Sequence, residues 1–201
     1  MKTFSTLFIL LFTICFLDAQ NEKGDFTLAP QLGVNFATYY AGSSDVTYDS
    51  RTSLAVGVVG EYYINDRWSF RSGIQFDPMG VKDGGGNIDK LNYLTIPLNA
   101  NWHFGSTRKW YLNFGPAVSL LLSAEGDLSD GSTIDLKDAV PGTDFGFIAG
   151  IGYKFQISEN FQLFIDYQGF GGFTNLDELG NLPFDIRNSR SSFNVGGVFM
   201  L

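Results

Sequence analysis

Apolar and polar side chains alternate residue by residue along most of this chain, most clearly in its middle. From Leu91 to Gly105, one face carries Leu94, Ile96, Leu98, Ala100, Trp102 and Phe104, and the other carries Thr95, Pro97, Asn99, Asn101 and His103. Successive side chains of a β-strand point to opposite faces, so this segment is predicted to be a strand with one apolar side. Seven more segments alternate in the same way: 26–40, 52–64, 67–77, 110–123, 144–157, 161–173 and 190–201.

The connections between these segments alternate in length. Short turns are predicted at 65–66, 105–109 and 158–160, and longer polar loops at 41–51, 80–90, 124–143 and 175–189. An up-and-down meander gives this order when every long loop lies at one end. Closing the sheet removes the two edges that an open meander would expose. The sequence thus predicts an all-β fold, an eight-stranded antiparallel up-and-down barrel.

The polar face decides whether this barrel is soluble or transmembrane. A face that meets water is normally rich in Lys and Glu, but charged residues make up only 17% of the chain, and the polar face carries mainly Asn, Ser, Gln and Gly. Trp68, Trp102 and Trp110 all lie on the apolar face beside short turns. Such a level of aromatic side chains is typical of the girdle of a transmembrane β-barrel. The alternative is a soluble calycin-like ligand-binding barrel, whose tryptophans would point inward.

The first residues resemble a targeting segment. Met1-Lys2 precedes an almost unbroken apolar run over 3–17, and Ala19 is a suitable small residue for signal peptidase. We therefore expect residues 1–19 to be a signal peptide and residues 20–201 to be the barrel domain. The sole cysteine, Cys15, lies in the signal segment, so the mature chain has no thiol for a disulfide.

Four charged residues fall on the polar face. Glu61 and Arg71 are predicted to lie nearly opposite each other across the 65–66 turn, and Lys154 and Asp166 to be cross-strand or diagonal neighbours across the 158–160 turn. The interior of an eight-stranded barrel is just wide enough for side chains. We therefore expect a packed polar lumen with these residues as ion pairs. Pro97 and Pro116 lie at similar heights on neighbouring strands, and one local bulge is expected to accommodate both.

Several chemistries find little support in the sequence. The net charge of −8 disfavours nucleic acid as a partner. His103 is the only histidine, so a His-based metal cluster is not available. No Ser-His pair faces the membrane side, and the acidic loop over 127–138 lacks the ligand spacing of an EF-hand. We therefore predict a protein that is not an enzyme and uses no cofactor or metal.

Short motifs in four strands add a family resemblance. They are Tyr93-Leu94-Thr95-Ile96-Pro97-Leu98, Phe114-Gly115-Pro116, the 144–150 segment, and Tyr167 with Gly169. With them, residues 24–201 resemble the PorT-like outer-membrane β-barrel proteins of Gram-negative bacteria. The end of the chain also resembles the C-terminal assembly signal of such barrels, in Asn194, Gly196, Phe199 and Leu201. The resemblance implies location in the cell outer membrane, contact with its lipid, and insertion by the barrel-assembly machinery.

The expected role follows from the fold and not from a reactive site. We predict a monomeric, non-enzymatic barrel with a structural or interaction role, whose acidic long loops contact surface polymers, cations or another protein. A narrow pore for small solutes is the alternative, and it requires a wet path past the four lumen charges.

Overall fold

The computed structural model describes residues 22–42 and 48–201. The predicted signal peptide and Cys15 lie outside the described residues. Among the described residues, no helix is long and apolar enough to cross a membrane.

Eight long strands and one short strand make up the structure. Their bounds are β1 Phe26–Ala41, β2 Asp49–Tyr63, β3 Trp68–Lys82, β4 Ile88–Phe104, β5 Trp110–Asp127, β6 Thr133–Asp135, β7 Thr143–Ser158, β8 Phe161–Gly172 and β9 Ile186–Met200. Each long strand pairs antiparallel with the next long strand, and β9 pairs with β1. The sheet therefore closes on itself, which confirms the predicted eight-stranded up-and-down barrel. The short β6 adds to the long-loop end of β5 only.

The apolar face of the barrel is its outer wall. Leu54 is 75% exposed and Phe193 is 59% exposed, whereas Asn35 and Ser192 are completely buried. Trp68 and Trp110 also point outward, at 40% and 46% exposure. A soluble barrel would bury these groups because exposed apolar patches of this extent promote association. The outward tryptophans therefore exclude the soluble calycin-like alternative.

The face pattern reverses near the long-loop end. Beyond Asp77 on β3, the inward residues Met79 and Val81 are apolar and buried, and the outward Lys82 is charged and exposed. These inward residues belong to a cluster at the long-loop end, which we call the apolar cap; its buried members are Ala37, Tyr39, Met79, Val81, Leu91, Tyr93, Ala117, Ala124, Ile148, Phe170 and Leu176. Apolar inward side chains and polar outward side chains are typical of a segment surrounded by water. The barrel therefore extends beyond the part of its outer wall that faces lipid.

The connection between β3 and β4 differs in length from the sequence-based prediction. The loop predicted over 80–90 covers only 83–87, because β3 continues to Lys82 and β4 begins at Ile88. Gly80 lies inside β3 with a φ of +117°, a conformation that only glycine adopts easily, so it does not mark a loop. The remaining turn closes on Asp83, whose carboxylate accepts from the main-chain N–H of Gly85 and of Asn87 at 2.9 and 2.8 Å. Hydrogen bonds from the Asn87 side chain and main chain lower the pKa of Asp83 below its usual value.

Pro97 and Pro116 interrupt the pairing of β4 with β5 without shifting its register. The bulge predicted at these prolines is therefore wrong. Between β4 and β5, pairing stops after Pro97↔Ala117 and resumes at Ala100↔Phe114 in the same register. Gly115 lies in this gap, where an added Cβ would be 2.2 Å from the carbonyl oxygen of Leu98. The two strand backbones therefore approach closely at the gap, which absorbs the missing N–H groups without an extra residue. The bulge between these strands lies elsewhere, at Asn92/Tyr93.

Candidate functional site

The short-turn end of the lumen is organised around the carboxylate of Glu61. Lys154 Nζ donates to Oε2 at 2.7 Å, and His103 Nε2 lies 2.8 Å from Oε1. Ser69 Oγ and Asn101 Nδ2 donate to the same Oε1 at 2.5 and 3.0 Å. Glu61 is 4% exposed, so these donors replace the water that a carboxylate normally binds.

The middle of the lumen is organised around Asp166. Its carboxylate lies 3.5 Å from Arg71 Nη1 and accepts from Tyr111 Oη at 2.9 Å. Gln168 and Asn194 donate to it at 3.0 and 2.8 Å. The guanidinium of Arg71 also packs over a ring, with its Cζ 5.1 Å from the centroid of the buried Phe164. The cation is therefore held by charge, by hydrogen bonds and by an aromatic face.

A third charged pair lies closer to the long-loop end. Arg190 Nε is 3.2 Å from Asp77 Oδ1, and both side chains are at most 1% exposed. Asn35 Nδ2 and Thr95 Oγ1 donate to the Asp77 carboxylate at 2.6 and 3.1 Å. This pair was not predicted from the sequence. Their proximity depends on the contact between β1 and β9, which closes the barrel.

The salt bridges join different partners from those predicted. The registers place Glu61 opposite Arg71, and Asp166 opposite Gly152, two residues from Lys154. The ion pairs nevertheless join Glu61 to Lys154 and Arg71 to Asp166, which are 93 and 95 positions apart in the sequence. Inward side chains converge on the barrel axis, so long cationic side chains reach carboxylates across the lumen.

These clusters and the aromatic side chains between them fill the lumen. Tyr63 and Tyr111 are almost completely buried beside the charged residues at the short-turn end. Lys154 Nζ lies 5.2 Å from the ring centroid of Tyr63 and 5.5 Å from that of Tyr111. The apolar cap follows at the long-loop end. Within the described residues, the interior therefore alternates ion pairs with buried aromatic rings.

The three tryptophans take part in a chain of outward aromatic rings beside the short turns. Trp68 and Trp102 are opposite each other with ring centroids 6.5 Å apart. Phe104 lies 5.2 Å from Trp102 and 6.2 Å from Trp110, and Trp110 lies 4.9 Å from Tyr153. These rings occupy one level of the wall, where a membrane interface would favour amphipathic aromatic groups.

The C-terminal residues alternate between lumen and wall. Asn194 points inward and donates to Asp166. Phe199 points outward and packs against Phe161, with ring centroids 4.9 Å apart. Gly196 leaves room for the buried Phe164, whose ring would lie 2.4 Å from an added Cβ. Leu201 follows the last strand, and its N–H donates to the carbonyl oxygen of Phe26 at 3.1 Å.

One Ser-His contact was missed by sequence reasoning. Ser69 Oγ lies 3.0 Å from His103 Nε2, but the same nitrogen contacts Glu61, and the serine and histidine are 1% and 2% exposed. In a hydrolytic triad the histidine contacts the nucleophile and the carboxylate through different ring nitrogens. The geometry here is that of a buried structural network. Among the described residues, no group of three His, Cys, Asp or Glu side chains could hold a metal ion.

The long loops present a different surface, which we call the acidic loop surface. It comprises the β5–β7 connection over 128–142 and the β8–β9 connection over 173–185, which meet where Glu178 N donates to the carbonyl oxygen of Ala139 at 3.2 Å. Its exposed apolar side chains include Ile134, Leu179 and Leu182 at 43%, 62% and 40% exposure. Its exposed acidic side chains are Asp130, Asp135, Asp138, Glu178 and Asp185.

The closed sheet, the apolar outer wall and the ion-paired polar interior define a transmembrane β-barrel protein. A family model described as "Outer membrane protein beta-barrel domain" matches residues 18–178. The chain therefore belongs to the outer membrane protein β-barrel domain family, and its location is the cell outer membrane.

Solved structures show the same fold at low sequence identity. The outer membrane protein OprG from Pseudomonas aeruginosa is 12% identical, with a TM-score of 0.53 over 90% of this chain and 97% of that chain. Neisserial surface protein A is 18% identical, with a TM-score of 0.53 over 86% of this chain and 94% of that chain. Among curated protein sequences, none matches this chain.

Proposed function

We propose that this protein is a non-enzymatic, non-conducting barrel that anchors the acidic loop surface in the outer membrane. The observation that supports this proposal best is the filled lumen. Each of the three buried cations contacts a carboxylate within 3.5 Å. An ion that entered would have to break these pairs in a low-dielectric interior, which costs several kcal/mol per pair.

The acidic loop surface is the part of the molecule that is suited to a partner. In barrels of this kind the long loops face the cell exterior and the short turns face the periplasm. The exposed Leu179 and Leu182 lie close in sequence to the acidic Glu178 and Asp185. Apolar groups with an acidic rim suit contact with surface polymers or with a protein, and divalent cations would bridge the carboxylates to anionic polymers.

Finer assignments belong to the same proposal. The motifs in β4, β5, β7 and β8 support a place among the PorT-like barrels. Residues 1–19 act as the signal peptide, and residues 20–201 form the mature domain. Asn194, Gly196, Phe199 and Leu201 serve as the assembly signal that the barrel-assembly machinery reads. A sheet that closes within one chain supports a monomeric mature protein.

Conductance across planar lipid bilayers tests the closed lumen. The refolded wild-type protein is expected to give no stepwise current at 1 M KCl, because no ion replaces the paired side chains. A variant with Glu61→Ala, Arg71→Ala, Lys154→Ala and Asp166→Ala serves as the opened comparison. Regular current steps from the wild-type protein would contradict the proposal and favour the narrow pore.

Binding to purified surface polymers tests the loop role. Barrels in lipid nanodiscs are mixed with lipopolysaccharide O-chains from the expression host, with and without Ca²⁺, and with the host's purified cell-surface proteins. The proposed role predicts retention that is lost when Leu179→Ser and Leu182→Ser are combined. Glu159→Gln, in the exposed short turn between β7 and β8 at the opposite end of the barrel, is the control. Equal retention by both variants, or none by the wild type, contradicts the loop role while leaving the closed lumen standing.

A further inference from the structure

The buried charges of the barrel do not balance, and the excess charge is at one place. Four carboxylates are buried among the described residues, those of Glu61, Asp77, Asp144 and Asp166, against three cationic side chains. Lys154, Arg71 and Arg190 contact Glu61, Asp166 and Asp77 respectively. Asp144, at the start of β7, therefore has no cationic partner within the described residues.

The surroundings of Asp144 are oxygen-rich and closed to water. Asp144 and Asn188 are 0% and 1% exposed. Asn188 Nδ2 donates to Asp144 Oδ2 at 2.8 Å and lies 3.2 Å from the hydroxyl of Tyr93, which belongs to the apolar cap. Asp144 Oδ1 and Asn188 Oδ1 have no donor in hydrogen-bond geometry, although the hydroxyl and the main-chain N–H of Thr174 lie near the Asp144 carboxylate. Each of the two side chains thus has one buried oxygen that accepts no hydrogen bond.

Gly172 brings the main chain close to this carboxylate. A Cβ on residue 172 would lie 2.9 and 3.0 Å from the two oxygens of Asp144 and 3.3 Å from the carbonyl oxygen of Asn188. The three oxygens therefore face one region beside the Gly172 backbone. A buried carboxylate with no cation is costly, and oxygen ligands that converge around it are what a hard cation binds.

We infer that Asp144, Asn188 and the main chain beside Gly172 form a binding site for one alkali-metal cation. The charge of the site sets the class of ion. One carboxylate with neutral amide and carbonyl oxygens carries a single negative charge, which one Na⁺ or K⁺ neutralises. Strong divalent sites use several carboxylates. Bound there, the ion is the fourth cation of the barrel interior, beneath the apolar cap, and it ties β7 to β9.

Unfolding equilibria in alkali and non-alkali salts test this inference. The full barrel in phosphatidylcholine vesicles is unfolded with urea in NaCl, KCl or choline chloride at constant ionic strength and constant pH. A ligand that binds only the folded state lowers the apparent unfolding constant about tenfold for each tenfold rise in its concentration above the dissociation constant. We expect this dependence for Na⁺ or K⁺ and none for choline, and the two alkali salts show which ion binds better.

Two variants and a control separate the site from general salt effects. Asp144→Asn keeps the shape and removes the charge, so it is expected to lose the alkali dependence and to equal or exceed wild-type stability in choline. Asn188→Asp adds a second carboxylate, so it is expected to lose stability in choline and to regain it in alkali salt. Asp138→Asn, on the exposed β5–β7 connection, should keep the wild-type response.

Two results would overturn the inference. The first is the same unfolding constant in choline and in both alkali salts. The second is alkali dependence that survives in Asp144→Asn. If instead the wild-type stability changes with pH between 5 and 9 and not with the salt, Asp144 binds a proton and the cation site does not exist.

Discussion

At the residue scale, Glu61 shows how a carboxylate is accommodated in the lumen of a membrane barrel. Its donors come from β3, β4 and β7, so a single side chain connects strands on different sides of the lumen. Pairing reduces the desolvation cost but does not remove it, because both charges have left water. The net attraction of the pair therefore contributes little to stability. Removal of one partner is costly, because the other charge would remain buried and unpaired.

Removal of one partner of this pair is expected to be severe. Lys154→Met leaves the Glu61 carboxylate without its cation and should lower the free energy of unfolding by about 3–5 kcal/mol. The double variant Glu61→Gln with Lys154→Met should lose less, because no unpaired charge remains. Urea unfolding in lipid vesicles measures both. Asp185→Asn, in an exposed pair with Arg187, is the control and should cost no more than about 1 kcal/mol. A double variant less stable than Lys154→Met would contradict this reasoning.

Gly115 is a second residue with a sharp expected effect. A methyl group there would lie 2.2 Å from the Leu98 carbonyl oxygen, which belongs to the neighbouring backbone and cannot rotate away. Gly115→Ala should therefore destabilise the barrel by at least about 1–3 kcal/mol. Gly171→Ala is the matched control, because an added Cβ meets no atom within 4 Å there. Equal unfolding midpoints for the two variants would show that the strands separate at the gap without cost.

At the element scale, β3 carries two opposite patterns in succession. On β3, Ile74 is outward, apolar and 55% exposed, whereas Lys82 is outward and charged and the inward Val81 is 3% exposed. The change from one pattern to the other marks where lipid gives way to water. On this strand, the position where the pattern changes therefore indicates the outer boundary of the membrane.

This boundary can be measured by placing a lysine on either side of it. Ile74→Lys puts a charge into the lipid-facing band and should cost about 2–4 kcal/mol, whereas Asn92→Lys, beyond the reversal, should cost about 0–1 kcal/mol. Both values come from urea unfolding of the refolded protein in phosphatidylcholine vesicles. A cost at Asn92 as large as that at Ile74 would mean that lipid reaches the long-loop end of the strands.

Strand identity was predictable because the two-residue period recurs in all eight segments. Strand length was not predictable. Near the long-loop end the apolar side chains change from the outward to the inward face, and this change resembles the end of a strand. The segment 78–82 is an example, since Pro78 and Gly80 both suggest a loop. In the structure, Gly80 pairs with Lys90 and the strand continues to Lys82.

At the scale of the whole molecule, the ion-pair partners depend on closure. Sequence spacing identifies neighbours across one turn, which is why Glu61 and Arg71 were placed opposite each other. The partners in space, such as Arg71 and Asp166, lie on β3 and β8 and meet only across a closed lumen. The number of strands and their tilt set these distances, and neither is written in a local pattern.

The outward position of the tryptophans is the feature on which the whole arrangement depends, and their fluorescence reports it directly. All three tryptophans of the chain lie in the aromatic level beside the short turns. The refolded protein is placed in vesicles whose lipids carry bromine on the acyl chains near the headgroup. If the apolar face is outside, these lipids will quench most of the emission, and lipids brominated near the bilayer centre will quench less. Emission unchanged by either lipid would mean that the tryptophans point into the barrel and that the inner and outer faces are reversed.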